Sequence, residues 1–187
     1  MEYVCLYIII FIVIILLYLH VYEYSRRRIL RYMAINTIKI FNENNVDYYV
    51  DYGTLLGIYR EKDIILDDND VDICVFDTQE FHDKIPQMKK ELKKKNLVIE
   101  KQTWSAYRVY YPPFRYFCDI YLVRKDGDMI RDAVTAKSDI PISLVGNKSI
   151  IKWKDVEVKC PEKVHDLLVF RYGEDYMIPK RGFKGNI

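Results

Sequence analysis

The residues best placed to do chemistry are four aspartates. Asp67-Asp-Asn-Asp-Val-Asp-Ile73 supplies three of them, Asp68, Asp70 and Asp72, at a spacing of two. On a strand alternate side chains share a face, so these carboxylates would point one way while Val71, Ile73 and Val75 enter a core. Carboxylates held together repel one another unless a cation neutralises them. Mg²⁺ or Mn²⁺ takes such oxygen ligands, commonly together with substrate phosphates. Asp119 is the fourth, the one acid in Phe117-Cys-Asp-Ile-Tyr-Leu-Val123. A lone acid in an apolar run costs free energy unless it pairs or binds a metal. On a neighbouring strand it would complete the site. Taken singly, the acidic run reads equally well as a solvated turn, and Asp119 as a strand-end cap or the partner of Arg115.

Upstream, Asp51-Tyr-Gly-Thr-Leu-Leu-Gly-Ile-Tyr-Arg60 places Gly53 and Thr54 before a short helix. A small turn at a helix N-terminus can receive phosphate through backbone N–H groups. Arg60, Arg171 and Arg181 are candidate phosphate contacts, because a guanidinium matches phosphate oxygens bidentately. Each reads equally as a surface ion pair. Tyr107, Tyr110 and Tyr111, among 17 tyrosines, are candidates to stack on a base or face a cation, with core packing the commoner role. The order of strand, Gly-Thr turn, helix, Arg60 and two acidic strands joins these weak signals into one site.

The elements that would hold these residues follow from periodicity. Val46–Val50, Asp70–Phe76, Arg108–Tyr111 and Phe117–Val123 read as strands, with a turn at Pro112-Pro113 and a hairpin over Ile150–Val158. Arg28–Asn42, Leu55–Tyr59, Gln79–Asn96 and Val164–Tyr172 read as helices, the last stopped by Gly173. The lysines of the third helix read as a solvated face, with a phosphate-binding patch as the rarer alternative. Tyr3–Leu19 carries no charge and suffices to cross a bilayer, with Tyr18, Tyr22 and Tyr24 at interfacial positions. Arg26, Arg27, Arg28 and Arg31 then suit anionic headgroups. Neither a basic start nor a small-residue cleavage site marks it as a removable signal. The expected organisation is therefore an anchor over residues 1–24 and a catalytic domain over 25–187. The arginine flank favours a cytoplasmic domain, whereas the sequon at Asn147-Lys-Ser149 would matter only in the lumen.

The chain has 187 residues, a formal charge of +2 and 30% charged residues. That suits one folded domain and gives no electrostatic push toward nucleic acid. Its 4 cysteines have neither the density of a disulfide scaffold nor zinc-ligand spacing.

The motifs resemble the LicD/fukutin-related family. Asp51 through Ile73 follows the family's Asp-Tyr-Gly-Thr-Leu-Leu-Gly…Asp-Asp-Asp-Ile-Asp-Ile pattern without insertion or deletion. Phe117-Cys-Asp-Ile-Tyr121, Lys154-Asp-Val-Glu-Val158 with Pro161, and Phe170-Arg-Tyr-Gly-Glu-Asp-Tyr-Met-Ile-Pro179 resemble its later segments. Leu66-Asp67 stands where the family has Pro-Trp, and Asn69 where it has the middle Asp. Asn69 should face away from Asp68 and Asp70. The resemblance implies an α+β, nucleotidyltransferase-like mixed sheet flanked by helices, after one transmembrane helix. It implies a phosphotransferase moving phosphocholine or ribitol phosphate from a CDP-activated donor to a glycan or glycolipid hydroxyl. Asp68, Asp70, Asp72 and Asp119 would hold Mg²⁺ or Mn²⁺, with Asp70, Asp72 and Asp119 catalytic. One carboxylate, such as Asp119, would accept the proton of the attacking hydroxyl, and Gly53, Thr54, Arg60 and Arg171 would contact substrate. The family's eukaryotic members face the secretory lumen, so both membrane sides stay open. Transfer of NMP, and a catalytically inactive anchored binding module, are the alternative readings.

Overall fold

The computed structural model describes residues 2–102, 106–112, 114, 116–132 and 139–180; Arg115 and Arg181, considered above, lie outside them. The apolar run and the helix expected after it are one helix, α1 (Glu2–Glu43). Neither Gly nor Pro lies between Leu19 and Asn42 to interrupt it. Its first half exposes apolar side chains all round. Its second half buries Leu30, Met33, Ala34, Thr37, Ile38 and Phe41, a helical stripe laid on the domain. Within α1, Leu6–Glu43 is long and apolar enough, by length and composition, to cross a membrane.

Beyond α1 come β1 (Tyr48–Val50), α2 (Tyr52–Leu56) and a π-helical turn, Gly57–Glu61. Then follow β2 (Asp70–Phe76), α3 (Gln79–Lys94), β3 (Val98–Lys101), β4 (Tyr107–Tyr110) and β5 (Phe117–Asp126). The chain continues with β6 (Met129–Asp132), β7 (Ile140–Pro141), α4 (Ile142–Val145), β8 (Lys148–Trp153), β9 (Val156–Pro161) and α5 (Val164–Tyr172). The main sheet is mixed, in the order β1-β2-β5-β4-β3, with β6 and β7 extending from β5. β2 and β5 are its parallel pair, and their register sets Asp72 opposite Asp119. β8 and β9 form a separate hairpin against β1 and α1.

Both acidic strands, α3, the hairpin and α5 form where periodicity expects them. β3, β6 and β7 do not announce themselves, being two to four residues long and too short to show alternation. The helix expected over Leu55–Tyr59 is instead the end of α2 and the π-helical turn. There Gly57 lies so close to the chain that a Cβ would sit 2.6 Å from the Asp63 carbonyl.

Three of the arginines after the apolar run have protein partners. Arg26 donates to Asn69 Oδ1 (3.0 Å) and the Leu66 carbonyl (2.6 Å). Arg27 donates to the Ile64 carbonyl (2.6 Å), and Arg31 grips Asp63 with Nε and Nη2 (2.8 and 2.5 Å). Three of the four expected headgroup ligands thus clamp the loop leading into β2. Arg28 remains exposed. Arg26 thus holds the side chain of Asn69, the residue that stands between Asp68 and Asp70.

Candidate active site

Strand alternation places Asp70 and Asp72 on one face of β2, with Asp68 just before it. Asp72 is 8% exposed, and Val71, Ile73 and Val75 are fully buried. Burial first, then the charge of Asp70 and a hydrogen bond with it, pushes Asp68 up to about 7. Asp72 is raised well above the ordinary carboxylate range, again by burial and then by Asp70, Asp68, Asp119 and Asp51. Negative charge crowded into a dry place is costly, so both carboxyls hold their protons more tightly than exposed ones do.

Gly53 and Thr54 support these carboxylates from α2. The Asp72 N–H donates to Thr54 Oγ1 (2.7 Å), fixing the strand under the site. A Cβ on Gly53 would sit 2.5 Å from Asp68 Oδ2. Gly53→Ala should therefore displace the flexible Asp68 carboxylate and weaken divalent-cation affinity about tenfold, an order set by analogy with lost supporting contacts around a metal. Its unfolding midpoint should stay near the parent's, and calorimetric titration with Mn²⁺ checks the affinity.

The α2 N-terminus, expected to receive phosphate, already carries a carboxylate. Asp51 accepts from the Tyr52 N–H (2.7 Å), and Arg171 Nη2 donates to its other oxygen (2.7 Å), with both side chains buried. The Arg171 guanidinium also lies over the Tyr52 ring, 4.2 Å from its centroid. Tyr52 takes φ = 50°, a left-handed conformation that a bulky residue adopts only when its surroundings impose it. Arg171, expected at substrate, is thus committed to an internal ion pair.

Arg108 is the residue the sequence reading missed. It donates through Nε and Nη2 to the two Asp119 oxygens (2.5 and 3.0 Å), and its guanidinium stacks 4.1 Å from the Phe117 ring centroid. The signal was available: antiparallel pairing of β4 with β5 puts Arg108 directly opposite Asp119. The bidentate pair occupies both oxygens expected to serve as ligand and proton acceptor. Among the described residues, no three Asp, Glu, His or Cys side chains converge as a ready-made metal cluster.

Arg60 lines a small cleft with Leu56, Ile65, Tyr172, Tyr176 and Lys180. It donates to the Tyr176 carbonyl (2.9 Å) and to Glu61 (2.8 Å), while its buried Nε has no hydrogen-bond partner among the described residues. Tyr172 links this cleft to the acids. Its hydroxyl is raised by burial and then by Asp51, Asp72 and Asp68. Of the tyrosines considered for base stacking, Tyr107 is buried edge-on against Phe81 and Tyr110 donates to Glu100. Tyr111 packs on Tyr32.

A mixed sheet with acids on its adjacent parallel strands, behind a Gly-Thr helix, defines a nucleotidyltransferase-type domain. The family profile described as "LicD/FKTN/FKRP, nucleotidyltransferase domain" matches residues 45–163, well over half of the chain. The chain belongs to that family. Membership suggests a transferase with phosphotransferase-like activity. A curated relative, "Uncharacterized protein RT0683" of Rickettsia typhi, is 33% identical over 72 residues, or 36% of this chain and 23% of that protein. The match thus spans about a quarter of that relative's length. Among solved structures, the antibiotic-resistance factor ANT(2'')-Ia is similar at TM-score 0.46 and 9% identity, over 71% of this chain and 65% of that one. The lincosamide antibiotic adenylyltransferase LnuA is similar at TM-score 0.45 and 19% identity, over 74% and 85%.

Proposed function

We propose that this chain is a membrane-anchored, metal-dependent phosphotransferase. It moves a phosphocholine- or ribitol-phosphate-like unit from a CDP-activated donor to a hydroxyl of a glycan or glycolipid. The observation that carries the reading is the burial and mutual charge that raise Asp68 and Asp72 beside Asp70, although no three acids converge as a ready-made cluster among the described residues. An all-oxygen donor set, destabilised by its own charge, fits Mg²⁺ or Mn²⁺ held by Asp68, Asp70 and Asp72. Such an ion, when bound, neutralises charge on the transferring phosphoryl group and on the leaving CMP.

The chain's own residues do the positioning. Arg60 has a spare, desolvated donor for a phosphate oxygen. Thr54 fixes the backbone beneath Asp72, and the Arg108–Asp119 pair buttresses the neighbouring strand. In the transfer, the acceptor oxygen bonds to the phosphorus of the phospho-alcohol as the bond to CMP breaks. The hydroxyl proton passes to a carboxylate or to water. α1 would hold the domain at a bilayer, on the cytoplasmic or the lumenal side.

Thermal unfolding of the full chain in lipid nanodiscs, with Mn²⁺ and CDP, UDP or GDP, tests the reading. Saturation at 100 times Kd adds about 2.7 kcal/mol, a rise of roughly 5–10 °C for a domain of this size. A metal-dependent rise with CDP supports the phosphotransferase. No rise with any nucleotide, in a folded sample, favours an inactive binding module. Release of pyrophosphate from a nucleoside triphosphate, in place of CMP from a CDP-alcohol, would favour NMP transfer.

A further inference from the structure

The aromatic residues that transfer chemistry leaves unused form a ladder along α1. Tyr32 packs on Tyr111 (ring centroids 5.8 Å apart), Tyr111 stacks on Phe114 (5.7 Å, 28° between planes), and Phe114 stacks on Tyr116 (6.2 Å, 9°). Tyr116 meets Tyr22: burial and then a hydrogen bond with Tyr22 push its hydroxyl up to about 12, with Tyr18 contributing. Tyr22 in turn stacks on Tyr18 (6.4 Å, 22°). Tyr111, Phe114 and Tyr116, between β4 and β5, therefore follow α1 from Tyr32 toward the last turns of the apolar run. At 1.5 Å per residue, Tyr32 to Tyr18 is about 21 Å of helix.

A loop packed against the end of a membrane span shares the depth of that end. The apolar run gives out near Val21, so Tyr22 lies at the hydrocarbon boundary and Arg26, about 6 Å further along, among headgroups. Arg26 holds Leu66 and Asn69 at this level. Leu66 and Phe114 are 44% and 42% exposed there, large apolar side chains that the domain covers only in part. Arg28, exposed on the same stretch of helix, suits anionic headgroups. The acidic strands begin beside this rim: Tyr116 immediately precedes β5, and Asn69 immediately precedes β2.

We propose that the rim formed by Tyr111, Phe114, Tyr116 and the loop around Leu66 docks on the bilayer at headgroup depth. The carboxylate-bearing ends of β2 and β5 then open toward the membrane surface. This rests on the reading of α1 as a membrane span, and continuity with that span is what selects the bilayer as the partner. Docking of the rim would bring a lipid-borne substrate to the acids without leaving the membrane plane.

The test uses the full chain in vesicles of phosphatidylcholine and phosphatidylglycerol carrying a nitroxide near the headgroup. Phe114→Trp and, as a second reporter, Leu66→Trp are compared with Lys125→Trp at the far end of β5, against the background of native Trp104 and Trp153. The expected result is flotation with the vesicles and about twofold stronger quenching at positions 114 and 66 than at 125, as interfacial aromatics show. Flotation with equal, weak quenching at all three positions would overturn docking and leave the anchor standing. Failure to float would overturn both.

Discussion

Replacing Asp72 by Asn should make the metal-free chain more stable while it removes the Mn²⁺- and CDP-dependent rise in unfolding temperature. The two effects have one cause. Asp72 is buried among Asp70, Asp68, Asp119 and Asp51, which raise its carboxyl well above the ordinary range. A carboxyl raised in the folded state contributes stability that is full below its unfolded value and lost as pH climbs through the folded one. Asn keeps the shape and carries no charge, so Asp72→Asn should raise the metal-free unfolding midpoint at neutral pH, each ~1 kcal/mol gained reading as roughly 2–4 °C. The metal-free parent should soften from acid toward neutral pH more than the variant does. Transfer should fall by about 10²–10³-fold, the usual cost of removing one group that stabilises developing charge. A variant that is destabilised yet still binds Mn²⁺ and CDP would remove Asp72 from the site.

The contrast between what the sequence disclosed and what it hid follows from range. β2 was legible because alternation over seven residues is a local signal, and the structure places the strand over those same residues. α5 and its Gly173 stop were legible for the same reason. The partners of charged groups were not, since pairing is set by the sheet and not by neighbours in the chain. Arg108 meets Asp119 only through the β4–β5 register, and Arg171 meets Asp51 from 120 residues away. Arg26, Arg27 and Arg31 looked like headgroup ligands because a basic flank after an apolar run usually is one. Here α1 continues unbroken onto the domain and carries them past the loop before β2.

That long-range pairing reshapes the site. Of four aspartates expected to share one metal, Asp68 and Asp72 are raised by burial and by their acidic neighbours, whereas Asp119 is gripped by Arg108. Of the three arginines expected at phosphate, Arg181 lies outside the described residues and the other two have different partners. Arg60 pairs with the adjacent Glu61 at the cleft, while Arg171 pairs with the distant Asp51 beneath the strained Tyr52. The Asp-Tyr-Gly-Thr motif therefore does two jobs within four residues. Asp51 ties α2 to α5, whereas Gly53 and Thr54 make room for Asp68 and hold Asp72.

The division predicts a large effect on stability at Arg171. Arg171→Met keeps the apolar length of the side chain and leaves Asp51 buried at the α2 N-terminus without its guanidinium. Breaking a buried pair from one side costs about 3–5 kcal/mol, against a total of about 5–15 kcal/mol for an ordinary domain. The urea midpoint of the full chain should fall accordingly. The double variant Arg171→Met with Asp51→Asn should recover most of the loss, because no unpaired charge then remains inside. That recovery distinguishes an internal ion pair from a phosphate contact. A substrate-binding arginine would show the reverse pattern: an unchanged midpoint, a lost response to CDP, and no rescue by the change at Asp51.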